Sequence, residues 1–203
     1  MSTLTINDST VLTQLFDLES APTSASPSID PSLPSDPHIP SDLLQTLKQT
    51  ELKAIKLAES SPTSLPESRK LLEELTITHP TYASGHNNLA QVLRMLSAPA
   101  TEILPHLNEA IKLSSPPTPT SPLSPSQAKI LSQAYTQRAA IYYSMFKQEG
   151  DEDMEAAASR DFFEGGRYGN SIAREMAVRT NPYARLCGAI VKEAMKNEYG
   201  ECL

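Results

Sequence analysis

The chain has 203 residues, 24 acidic and 17 basic, and is seven charges negative with His neutral. That length suits one domain, or one domain with tails. Apolar residues make up 39%, there are 17 prolines and no Trp, so part of the chain is not expected to pack. No apolar run approaches the roughly 20 residues of a bilayer span, and no basic face offers the counterion release that nucleic-acid binding needs.

The charge is uneven. The first 42 residues hold six acids (Asp8, Asp17, Glu19, Asp30, Asp36, Asp42) and no base, which leaves 18 acids against 17 bases in the rest. The first basic residue is Lys48, so neither a secretory signal nor an Arg-rich transit peptide is expected. Cys187 and Cys202 give neither a disulfide framework nor metal-ligand spacing. A cytoplasmic location, extending also to the nucleus, is the expectation.

Six prolines lie between Pro22 and Pro40, and five between Pro116 and Pro125. Pro lacks a backbone donor and turns its predecessor away from helix, so 20–41 and 114–126 are expected as a disordered linker and a mobile loop. Ser26, Ser115, Thr118, Ser121 and Ser124 each precede Pro, which admits proline-directed phosphorylation. The rest, 42–199, reads as helix. Leu52, Ala54, Ile55 and Ala58 in 48–59, then Leu71, Leu72, Leu75 and Ile77 in 66–79, follow three-and-four spacing. Further helices are expected over 82–97, 100–113, 127–148, 153–166, 170–180 and 182–197, the last opened by Asn181-Pro182. The fold class is all-α.

Three helix pairs align, over about 45–80, 81–114 and 127–167. Their first helices carry a small residue at one slot, Ala54, Ala90 and Ala139, where close helix approach requires it. Their second helices share a four-then-three spacing: Ser68, Leu72, Leu75; Ile103, Leu107, Ala110; Ala158, Phe162, Gly165. From Ala54 to Ala90 is 36 residues, near the tetratricopeptide period of about 34. The loop at 114–126 and the turn at 149–153 lengthen the next interval. A right-handed α-solenoid of three stacked hairpins is predicted. A C-terminal helix through Tyr183, Leu186 and Ile190 would cap the apolar face that such a stack leaves exposed.

Tyr82 to Gln91 (YASGHNNLAQ), Ala158 to Phe162 (ASRDF) and Asn181 to Cys187 (NPYARLC) together resemble the tetratricopeptide repeat protein 36 family, over about 6–18 and 45–195; Asn7-Asp8 with Val11, Leu12, Leu15 and Phe16 resembles that family's short N-terminal helix, which implies one within 1–19. The resemblance implies a small non-enzymatic protein that holds a protein partner, with heat-shock chaperones and an enzyme of tyrosine breakdown as its suggested associations. In chaperone-tail clamps, Lys, Arg and Asn on the first helices hold the terminal carboxylates. Here Asn88 fits its slot, whereas Glu51 and Ile55, then Gln133 and Gln137, stand where cations or amides would be wanted. A dicarboxylate clamp is not expected. Instead the concave groove should be polar and nearly neutral, lined by Lys48, Glu51, Ser84, Asn87, Asn88, Gln91, Gln133, Thr136 and Gln137.

Other candidates read as structural. His79, His86 and His106 lack metal spacing, and His86 is expected in the core. Cys187, on the stripe Tyr183, Leu186, Cys187, Ile190, Ala194 and Met195, is expected buried. The run 165–170 lacks a phosphate-loop ending and reads as a helix stop. No catalytic set assembles, so no enzyme activity, cofactor or metal is expected. A monomeric adaptor is expected, chaperone-associated or serving a metabolic enzyme, with a self-assembling structural subunit as the alternative.

Overall fold

The computed structural model describes residues 27–118 and 120–181, and beyond them 187, 190, 191, 193 and 194. The expected N-terminal helix and residues 20–26 lie outside the described residues, as do Tyr183, Leu186 and Met195. Seven helices follow one another among the described residues: α1 (Ser41–Ser60), α2 (Leu65–Thr78), α3 (Ala83–Met95), α4 (Ala100–Ser114), α5 (Pro125–Glu149), α6 (Glu152–Arg167) and α7 (Ser171–Arg179).

Their ends follow local chemistry. Helix α1 starts at Ser41, one turn and more before the expected Lys48, because Pro40 sets the boundary and Leu44 and Leu47 extend its buried stripe to Glu51 and Ala54. The exposed Leu52 and Ile77 fall off their stripes. Ser124 opens α5 with a capping box: its hydroxyl accepts from Gln127 N while Gln127 Oε1 accepts from Ser124 N. Gly150, at φ 75, closes α5, and Gly169, at φ 98, supplies the left-handed stop expected after α6.

The helices pack as hairpins α1/α2, α3/α4 and α5/α6, each also touching the next, while α1, α3 and α5 meet along one layer. Ala54, Ala90 and Ala139 are all fully buried at equivalent places. Leu72, Leu107 and Phe162 sit in the core opposite them, each contributing roughly 1.5–3 kcal/mol by burial. Ser68, in the slot that holds Ile103 and Ala158 in the other two pairs, donates to the Ala54 carbonyl at 2.7 Å. Gly165 is small for a different reason. A Cβ there would meet Thr136 Oγ1 at 2.7 Å.

The described parts of the Pro-rich stretches, expected as a disordered linker and a mobile loop, are hydrogen-bonded to one another. Leu123 N donates to Ser28 O at 2.9 Å and Asp30 N to Leu123 O at 2.8 Å, forming a parallel bridge between Ile29 and Leu123. Leu123 and Ile39 are buried, and His38 Nε2 lies 3.0 Å from the Leu113 carbonyl at the end of α4. Proline forbids helix here, but the non-Pro residues between keep their donors and acceptors for an extended partner. Residues 27–40 therefore form a strap along the stack.

Of the expected C-terminal cap, Tyr183 and Leu186 lie outside the described residues, while Ile190 is 57% exposed; Cys187 is exposed rather than buried. The apolar end of the third hairpin is covered by α7, whose Ala173, Met176 and Ala177 pack on Ala139, Ala158 and Phe162.

Candidate peptide-binding groove

Small residues bring α1, α3 and α5 close enough to form one wall, and their other faces enclose a groove of about 510 Å³. Helical spacing selects its lining: Leu44, Lys48, Glu51, Ile55 and Glu59 from α1; Ser84, Asn88, Gln91 and Met95 from α3; Ser126, Lys129, Ile130 and Gln133 from α5. The strap closes one edge with Ser35 and Asp36. Six of the nine expected groove residues thus converge there: Lys48, Glu51, Ser84, Asn88, Gln91 and Gln133.

The other three do not line it. Asn87 is 1% exposed. It donates from Nδ2 to Gln133 Oε1 at 3.0 Å and accepts at Oδ1 from Gln137 Nε2 at 3.1 Å. Gln137 in turn accepts from Arg94 Nη1 at 3.4 Å. This amide chain ties α3 to α5, and burying it is tolerable because these amide groups find partners. Thr136 points at α6 and α7, beside Gly165, and donates to the Ser132 carbonyl at 2.6 Å.

Glu51 is the chemical centre of the groove. Only 8% exposed, its carboxylate accepts from Tyr82 Oη at 2.7 Å, from Asn88 Nδ2 at 2.6 Å and from Ser84 Oγ. Tyr82 stays a donor: burial first, and the Glu51 charge second, push its phenol well above the ordinary range. Asn88, the one residue that matched a chaperone-tail clamp, is therefore committed to a carboxylate of the chain itself. Burial also raises Asp36, against the bond from His38 N and the charges of His38 and Lys48.

Sequence reasoning missed Leu44, Val92 and Ile130, which form an apolar floor with Ile55 and Leu72, and it missed Lys129. The signal for Lys129 was present, since it stands one turn before Gln133 on α5. Across α3 and α4, His86 is buried as expected. Its Nε2 lies 3.0 Å from Pro80 O and its Nδ1 3.1 Å from His106 Nδ1. Burial lowers the pKa of both rings. Among the described residues no group of three His, Cys, Asp or Glu could hold a metal ion, and no helix is long and apolar enough to cross a membrane.

Known proteins are similar to this chain in sequence. It is 37% identical, over 96% of its length and 93% of the relative, to the L-tyrosine degradation gene cluster protein hmgX of Aspergillus fumigatus. It is 31% identical to the tetratricopeptide repeat protein 36 homolog of Drosophila melanogaster, over 74% of this chain and 71% of that one. The Danio rerio tetratricopeptide repeat protein 36 is 30% identical over 76% and 72%. No family model and no solved structure matches.

Proposed function

The chain belongs to the tetratricopeptide repeat protein 36 family, and from that membership we propose that it is a non-enzymatic adaptor gripping an extended segment of a partner protein between α1, α3 and α5. The observation that carries this reading is the groove itself, an apolar floor edged by amides and charges. Such a floor takes side chains, and the Gln91 and Gln133 amides suit the backbone donors and acceptors of an extended peptide.

For the partner, the name of the Aspergillus relative is the guide. We take the partner to be an enzyme of L-tyrosine breakdown, which the adaptor holds or stabilises. An acidic chaperone tail fits less well, because Glu51 already takes the Asn88 amide and would repel a second carboxylate in a partly desolvated groove. A chaperone partner would have to use another surface.

A photo-crosslinking residue at Gln91, compared with one at Lys112 on the outside of α4, tests both parts in the protein's own cells. The reading expects a tyrosine-degrading enzyme captured from position 91 and not from 112. Equal capture from both positions defeats the groove; specific capture of an unrelated protein defeats only the tyrosine assignment.

A further inference from the structure

Glu51 is a buried anion facing a binding groove without a counter-ion. Among the described residues none of the ion pairs includes it. Its three donors, a phenol, a hydroxyl and an amide, are all neutral. They occupy three of about four acceptor directions of the carboxylate, and Oε2 holds the unused one. Dipoles orient and solvate the charge, but they leave its net value at minus one.

The groove lysines do not supply the missing cation. Lys48 is exposed and within electrostatic reach of Asp36, which the strap brings to the edge. Lys129 is exposed on the opposite wall, on α5. Glu59 adds a third carboxylate to the lining. Carboxylates outnumber ammonium groups, and the buried Glu51 shares the groove lining with Leu72 and Val92, where a low dielectric strengthens attraction for a cation. A chaperone-tail clamp places cations in the wall to meet a carboxylate on the ligand; here the carboxylate is in the wall.

We propose that the groove reads a cationic side chain, Lys or Arg, on the bound segment, with Glu51 as its counter-ion. The stem of either residue would lie along Ile55 and Val92 while its head meets Oε2. This rests on the adaptor reading of the same groove and adds to it the charge of the segment that fits.

Fluorescence anisotropy of the full chain with labelled acetyl-GLGRGLG-amide, and with Lys, Gln or Glu in place of Arg, tests it. The Arg and Lys peptides should bind at least about tenfold more tightly than the Glu peptide, with the Gln peptide between. Glu51→Gln, which retains two acceptor lone pairs and the side-chain shape, should collapse that difference to less than about threefold. Equal binding of Arg and Glu peptides overturns the charge inference while leaving a peptide groove in place. Discrimination that survives Glu51→Gln, or failure of every peptide to bind, overturns it as well. Loss of the groove reading itself would appear separately, as equal crosslinking from positions 91 and 112.

Discussion

Gly165→Ala would normally stabilise a helix by about 0.5–1 kcal/mol, because Ala loses less backbone entropy than Gly. In α6 the sign should reverse. The new methyl would stand 2.7 Å from Thr136 Oγ1, 3.1 Å from Ala173 Cβ and 3.3 Å from Thr136 N. The Thr136 hydroxyl cannot turn away without losing its 2.6 Å bond to Ser132 O, and a backbone nitrogen cannot turn at all. Overpacking of this kind costs about 1–3 kcal/mol, so the net loss should be about 1 kcal/mol. With an m-value of about 1–3 kcal/mol/M, the urea midpoint should fall by roughly 0.5 M. In a Thr136→Ala background the closest contact is gone, and the same substitution should be neutral or stabilising. Circular dichroism of the four proteins gives the coupling. A higher midpoint for Gly165→Ala alone, or an equal cost in both backgrounds, refutes the account of why Gly occupies this slot.

Asp161→Asn breaks a buried bidentate pair, Arg138 Nε to Oδ2 at 2.7 Å and Nη2 to Oδ1 at 2.8 Å, and should cost about 3 kcal/mol by denaturant titration. His86 and His106 are both held below their usual pKa by burial, so the unfolded chain takes up protons first. Their contribution is complete above about pH 6.5 and is lost as pH falls below it, by up to about 2.7 kcal/mol per unit for two sites. His106→Gln should shrink the drop in urea midpoint between about pH 7 and 5; an unchanged drop would assign acid sensitivity elsewhere. A proline-directed kinase acting on the folded chain should modify Thr118 or Ser121 and spare Ser124, which is fully buried in its capping box. Phosphopeptide mass spectrometry reads this directly, and phospho-Ser124 in native protein would contradict the burial.

The parts of the fold that were legible share one property: they are written locally. Ala54, Ala90 and Ala139 could be placed because a small residue recurs at a fixed helical position, and most helix ends because Pro, Ser and Gly mark them. What was hidden is written across long separations. Nothing within 27–40 announces that Ile29 meets Leu123, and an extended Pro-rich segment looks the same in composition whether pinned or free. The groove was half legible for a related reason. Register along a helix put Ser84, Asn88 and Gln91 on one face, but whether Asn87 or Asn88 faced outward depended on the rotation of α3 against α5, which the Gln133 and Gln137 amides settle. Glu51 was assigned to the groove correctly, and its three donors were not seen, because two of them come from another repeat and Tyr82 from the turn between repeats.

The strap changes how this stack can come apart. Repeat arrays hold together through adjacent units, so they can fray from either end one unit at a time. Here His38 reaches Leu113 across 75 residues and Ser124 reaches Ser35 across 89. Like a belt buckled over stacked books, these links make the first hairpin hard to shed without loosening the start of the third. Denaturation should accordingly be a single concerted event over α1 to α5, and refolding should be slowed by the search for that distant closure.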